Sequence, residues 1–312
     1  MSEPAGIEAV PPSPADGGVT VAYVHDVGVS HSWHMSMIEL VGHDLGAEGR
    51  ILRGGWIAVR CGTDSLAEAR NKAVAEFLDE RDAEWLFWVD TDMGFLPDVV
   101  DQLVAAADRD ARPIVGALCF AWKETGTDAM GGYRCSPRPT IYDWKTKYGE
   151  TGFLGRTTYP PNALVQCSAT GSAAILIHRD VLAAMRASFG DQWYDRIPNP
   201  STGGNLIGED LSFCMRAGAM GVPVFVHTGV PTTHHKDVWV GEVDYMTYSA
   251  GSEMLAAVAA DEELQATQLT PADLLRPAPL TADHVCPDDC EGLTGQAWHD
   301  AHSFTPAGGG QE

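Results

Sequence analysis

Two aspartates one residue apart, Asp90 and Asp92, are the residues of this chain best suited by type and spacing to do chemistry. They close the run Trp85-Leu86-Phe87-Trp88-Val89, which is too short for a membrane helix and rich in aromatic and β-branched types. Such a run reads as a strand buried on both faces. Open α/β sheets bind ligands at the carboxyl ends of their strands, and there Asp-x-Asp sets both acids on one side of an extended chain. Two carboxylates so placed can hold a hard divalent cation, Mg²⁺ or Mn²⁺, whose other partners are usually waters and substrate phosphates. The spacing alone is not specific, because Asp108-Arg109-Asp110 repeats it. That second triplet follows a helical pattern over 99–107 and is expected to be a solvated helix end.

Other polar groups compete for a role. Glu209-Asp210 follow Gly203-Gly204-Asn205-Leu206-Ile207-Gly208 and open a helical pattern whose natural stop is Gly218. Acids are favourable at a helix start in any case, so a structural and a chemical role both stay open there. A first strand over 19–24 ends in His25-Asp26 before a turn at Gly28, either a place to meet a nucleotide or an Asp-assisted turn. His31, His34 and His43 lie close in sequence, but Trp33, Met37, Ile38 and Leu40 at helical spacing predict an amphipathic helix carrying incidental imidazoles. Cys286 and Cys290 have the spacing of half a zinc site, with His284 and His299 nearest, or are incidental cysteines of a tail.

The elements that must position these groups alternate strand and helix. A second strand is expected over 56–59, with Arg60-Cys61-Gly62-Thr63-Asp64 as its connecting loop. Ser65-Leu66-Ala67-Glu68 is a capping box, and the helix it starts has Leu66, Ala69, Ala73, Val74 and Phe77 on one face. Arg70-Asn71 fall in its second turn. Pro97 is expected at the first position of a helix over 98–107, followed by a strand over 113–118. Residues 121–165, with Trp122, Tyr133, Tyr142, Trp144 and Tyr159 among many Gly and Pro, read as an irregular insertion with a short hairpin near 140–142. Such a segment is either a lid or substrate-binding region, or a plain excursion. The small stretch Ala169-Thr170-Gly171-Ser172, suited to close backbone approach, leads into a strand over 172–177 and a helix over 179–187. A last strand over 222–226 is followed by Thr232-Thr233-His234-His235-Lys236. The expected fold class is α/β, built on a mainly parallel central sheet.

Composition bounds the rest. The chain has 312 residues, 45% of them apolar, enough for a sizeable core. A formal charge of −23 disfavours a nucleic-acid partner, whose affinity rests on phosphate contacts. No run of 18 apolar residues occurs and the N-terminus has no basic and apolar signal pattern, so neither a membrane span nor secretion is expected. Seven cysteines, an odd number, fit a reducing cytoplasm better than a disulfide framework. Residues 1–17 read as a disordered leader, 18–259 as one domain, and 260–312 as an acidic Pro/Gly-rich tail.

The order of the pieces carries more information than any one of them. Ala69-Arg70-Asn71, an aromatic strand closing in Asp90-Thr91-Asp92, a small-residue strand, Gly208-Glu209-Asp210-Leu211 with Arg216 beyond, then a strand and a histidine: this order resembles GT-A glycosyltransferases over about residues 19–240. It looks closest to the family-2-like group and, through the late histidine, to metal-dependent retaining relatives. The resemblance implies a GT-A, Rossmann-like fold and sugar transfer from a nucleotide-sugar donor, with Mn²⁺ or Mg²⁺ as cofactor. It places Asp90 and Asp92 on the metal and donor, and His234, in preference to His235, as a further metal ligand. Asp210 becomes the base that takes the acceptor's proton, with Glu209 as neighbour or substitute; in a retaining enzyme these acids would position the acceptor or bind the sugar. Arg70 is implied as a donor diphosphate or nucleotide contact, the alternative being a helix-surface salt bridge. The family's acid-rich turn after the second strand is compressed here to one acid, so base recognition is left to His25, Asp26 or Asp64.

The resemblance leaves the acceptor open among protein, glycan, lipid-linked and small-molecule classes. A nucleotidyltransferase on a similar scaffold would carry a basic phosphate loop after the first strand, and His25-Asp26-Val27-Gly28-Val29-Ser30 holds no Lys or Arg. A non-catalytic carbohydrate- or protein-binding module of the same fold is the remaining alternative; there the acids at 90, 92 and 210 would be dispensable.

Overall fold

A computed structural model describes residues 17–127, 133–147, 150–199 and 205–236. The expected leader and tail, with Cys286 and Cys290, lie outside the described residues, Gly17 excepted. In chain order the first part runs β1 (Val19–His25), α1 (His31–Gly46), α2 (Arg50–Gly54), β2 (Trp56–Arg60), α3 (Leu66–Glu80), β3 (Trp85–Val89), β4 (Met93–Gly94), α4 (Val99–Ala106) and β5 (Ile114–Leu118). Then come β6 (Phe120–Thr127), β7 (Tyr133–Pro139), β8 (Ile141–Lys147), β9 (Glu150–Gly155), β10 (Leu164–Cys167), β11 (Ala169–Thr170), β12 (Ala174–His178), α5 (Arg179–Phe189), α6 (Glu209–Ala219), β13 (Val224–Pro231) and β14 (Thr233–His234).

The main sheet has seven strands in the order β2-β1-β3-β12-β5-β13-β10. β2, β1, β3, β5 and β13 point one way, while β12 and β10 run against their neighbours, so the sheet is mixed but mainly parallel. This is the α/β class expected. Every residue of β3 is buried, as its unbroken apolar run requires. Alternate side chains of that strand feed two cores. Leu86 and Trp88 pack with α3, α5 and α6, whereas Trp85, Phe87 and Val89 pack with α1, α2 and α4. Among the described residues no helix is long and apolar enough to cross a membrane.

Several local expectations are sharpened or corrected. The capping box is present, with Ser65 and Glu68 each accepting from the other's backbone amide. Asp98 is the cap of α4, which puts Pro97 one residue before the helix rather than inside it. Gly218 lies within α6, and Gly221, at φ +73°, takes the left-handed turn that follows. Asp108 directly follows the C-cap of α4, in the exposed turn expected there, and its carboxylate accepts from the amides of Asp110 and Ala111. His43 pairs with Asp101 across α1 and α4.

Residues 121–165, expected as irregular, are largely strand. β6 and β7 form a two-stranded ribbon, and β8 and β9 form another, extended by β11. Ribbons with wet faces need no alternation of apolar residues, so the period that betrays a half-buried strand is missing. Pro137 and Pro139 are accommodated because β7 is an edge.

Candidate active site

The carboxyl ends of β1, β2 and β3 meet at one edge of the sheet, and the expected polar groups lie along it. Beyond Val89 the chain turns at once, with the Met93 amide donating to the Asp90 carbonyl at 3.2 Å. Strand alternation therefore stops before it reaches the two acids, and they take different partners. Asp90 accepts from Arg70 Nη2 at 2.8 Å, and the same guanidinium gives Nη1 to Asp210 at 2.7 Å. Asp92 Oδ2 lies 3.1 Å from His234 Nε2 and accepts from Lys236 Nζ at 2.6 Å.

Arg70 is the hinge of the first group. Its side chain is 1% exposed, between the rings of Trp88 and Tyr194 at 5.5 and 5.4 Å. Burial opposes its charge, but Asp210 and Asp90 outweigh it and raise its pKa above the ordinary value. Burial pushes the Asp90 carboxyl up, against the pull of Arg70. Both ends of the Arg70 fork are engaged inside the protein, so it ties the end of β3 to the start of α6.

Backbone pairing places the second group. β14 pairs antiparallel with β4, His234 opposite Met93, and the His235 amide donates to the Asp92 carbonyl at 2.8 Å. His234, not His235, therefore brings its ring to Asp92, and its Nδ1 sits 2.8 Å from the Phe120 carbonyl oxygen. Gly94 permits this approach, since a Cβ there would lie 2.4 Å from Thr233 Oγ1. Burial pushes the Asp92 carboxyl up, yet the hydrogen bonds from His234 and Lys236 prevail and bring it down to about 2. Burial likewise opposes a charged His234, but Asp92 and the Phe120 carbonyl raise its pKa.

A cavity of about 240 Å³ opens over these groups. Asp90, Glu209, Asp210 and His234 are in its wall, with Tyr142 and Lys123 from the hairpin strands. Gly171 faces Asp210 Oδ2 and leaves the space before it open; a Cβ there would come within 3.8 Å of that oxygen. The helix start of α6 is thus more than a cap, because its Asp210 holds Arg70 with one oxygen and presents the other to the cavity.

The remaining expected residues stay at the margin. His25 ends β1, with Nδ1 3.0 Å from the Asp26 carbonyl oxygen; Asp26 is exposed, and Asp64 pairs with Lys72 at 2.5 Å. None of the three is in the cavity wall. Sequence reasoning missed Lys236 and Lys123. Lys236, beside the histidine pair, was legible as a cation next to candidate ligands; nothing in the spacing of Lys123 marks it.

Asp92 offers the oxygen donor that Mg²⁺ and Mn²⁺ favour, and His234 adds an imidazole, a donor more typical of softer metals. With Asp90 held by Arg70, the expected trio is not gathered as a set. Among the described residues no group of three His, Cys, Asp or Glu side chains is placed to hold a metal ion. The five described cysteines, at 61, 119, 135, 167 and 214, are free thiols.

No family model matches the chain. No curated protein matches it either. Among solved structures it is similar to A197 from STIV, with a TM-score of 0.40 and 16% identity over 70% of this chain and 86% of that one. It is also similar to GalNAc-T7, solved with UDP, GalNAc and Mn²⁺, with a TM-score of 0.44 and 12% identity over 71% of this chain. The match takes in 43% of the GalNAc-T7 chain, so less than half of that protein has a counterpart here.

Proposed function

We propose that this chain is a GT-A glycosyltransferase that moves a sugar from a nucleotide-sugar donor to a hydroxyl of an acceptor. The observation that carries the reading is the pairing of Asp90 and Asp210 through buried Arg70 at the floor of a cavity that also holds Glu209 and His234. Two acids from remote parts of the chain, one at a strand end and one at a helix start, are held by one guanidinium beside a space large enough for a sugar.

Asp210 Oδ2, the oxygen that Arg70 does not hold, accepts the acceptor's hydroxyl proton. The oxygen so freed forms a bond to the anomeric carbon. The bond from that carbon to the diphosphate breaks, and its electron pair leaves with the nucleoside diphosphate. Asp92 and His234 are the residues that would hold Mn²⁺ or Mg²⁺, which when bound neutralises the charge developing on the leaving diphosphate. Lys236, on Asp92 Oδ2, and Lys123, in the cavity wall, add positive charge near the same groups. Arg70 keeps the base in position.

The reading is tested by calorimetric titration of a panel of nucleotide sugars in Mn²⁺, paired with an assay of donor hydrolysis. One donor is expected to bind in a metal-dependent way. Asp210→Asn should lower turnover by about 10²–10⁴-fold, the usual worth of a general base. Asp92→Ala should weaken metal-dependent donor binding. A protein that binds no donor, or whose Asp92→Ala variant binds as the parent does, would sink the assignment.

A further inference from the structure

A second, larger cavity of about 500 Å³ lies along α6 beyond the candidate active site, and Trp144, Phe153, Met215, Gly218 and Val222 are in its wall. The two cavities have no lining residue in common but lie along the same two elements. On β8, Tyr142 lines the first and Trp144 the second; residues two apart on a strand face the same side. On α6, Asp210 and Leu211 line the first, while Met215 and Gly218, four and seven residues past Leu211, continue the same helical face into the second. Along one face of α6 and of β8 the acids are thus followed by an apolar chamber. Its far wall lies about 10 Å from Leu211, seven residues at the helical rise. The aromatic edge is fixed by Trp144 and Phe153, packed edge to face at 4.9 Å. A volume of this size, mostly apolar with a few polar groups such as Gln166 and Ser168, has the character of a small-molecule site.

We propose that the acceptor is an amphiphile: its hydroxyl sits at Asp210 while an apolar alkyl or aryl group, about 10 Å away, fills the chamber beside Trp144 and Gly218. This rests on the transferase reading and narrows its acceptor class. A purely polar glycan or a free sugar would leave the chamber to water.

Gly218 offers a test that keeps the fold. It is helical, and a Cβ there would meet nothing within 4 Å, so Gly218→Leu projects into the chamber while replacing a poor helix former with a good one. Binding of octyl, phenyl and methyl β-glucoside, below any micelle concentration, is measured by calorimetry on the full chain, with thermal unfolding to verify folding. Octyl or phenyl glucoside should bind saturably, and methyl glucoside at least about tenfold more weakly, the worth of two buried methylenes. Which of the first two binds better tells an alkyl from an aryl occupant. Gly218→Leu should lose the advantage of the apolar group, as should Trp144→Ala, which removes a wall instead of filling the space. Equal binding of all three probes, no binding of any, or unchanged binding by both variants overturns the proposal. Donor binding by the parent protein is read separately. A donor that binds without the apolar preference refutes the amphiphile alone; an apolar preference without any donor refutes the transferase reading and leaves the chamber as a binding site.

Discussion

Helix α3 has an arginine at each end, and the two do opposite things. Near its start Arg70 gives its fork to two carboxylates, Asp90 and Asp210. At its finish Arg179, from the first turn of α5, gives its N–H groups to backbone carbonyls alone: Phe77, Leu78, Arg81 and Ala83. Both guanidiniums lie against rings, Arg179 at 4.5 Å over Phe77. Burial works against both charges. Facing neutral carbonyls, Arg179 has its pKa lowered by that burial, whereas the aspartates hold Arg70 above the ordinary value. The carbonyls at a helix end need donors in any protein, so Arg179 closes a seam of the fold. Two acids brought to one buried cation serve no such need. Replacing buried ion pairs by apolar groups is often neutral or stabilising, so their retention at a cavity points to use.

The largest effect should come from Arg70→Ala. It leaves two carboxylates side by side with no cation, a loss of about 3–5 kcal/mol for a broken buried pair. Urea unfolding should show that loss, and transfer should fall with it. The double variant Arg70→Ala with Asp210→Asn should recover part of the stability, because it removes one of the two stranded charges, and none of the activity. Recovery of activity in the double variant would mean that Asp210 is not the base.

The opposite end should behave differently. Arg179→Ala leaves carbonyls of the α3 terminus short of donors and should cost about 1–3 kcal/mol in urea unfolding, softened where water can reach them. Turnover per folded molecule should stay that of the parent. If Arg179→Ala suppresses transfer as deeply as Arg70→Ala, the two ends do not differ in the way their partners imply.

How much of this was legible beforehand follows the range of the interactions. The capping box at Ser65, the buried strand at 85–89 and the acids that open α6 are local patterns, and the structure bears them out as elements. The Arg70 clamp joins residues 20 and 140 positions apart, which no spacing rule reaches. Within the sequence Arg70 looked like a helix-surface cation or a ligand contact; only the packing of α3 under Trp88 and Tyr194 turns it inward. The turn at 90–93 was hidden for a related reason, since the end of an apolar run does not say whether the chain beyond it stays extended. The strands between 120 and 155 were hidden because their apolar residues, such as Ile141, Trp144 and Phe153, are scattered among Lys, Thr, Gly and Pro and give no clean period of two.

A third arginine lies between the two extremes and gives the smallest and most specific effect. Arg156 bonds both oxygens of Asp143 on β8, at 2.9 and 2.6 Å, and also the Gln166 carbonyl. It combines the partners of Arg70 with those of Arg179, but it is 30% exposed, so solvent screens it. Its hydrogen bonds to Asp143 hold that carboxyl below the ordinary range, against a smaller opposing effect of burial. A depressed carboxylate contributes stability above its unfolded pKa of about 4, and loses it as pH falls through the folded value. Asp143→Asn should therefore cost no more than about 1 kcal/mol at neutral pH, and the parent's advantage should vanish below about pH 4, read by urea unfolding across that range. An advantage that persists at pH 2 would mean that the Gln166 carbonyl and hairpin packing, not the ion pair, hold Arg156. In that case Arg70 would be the one of these three arginines held by carboxylates.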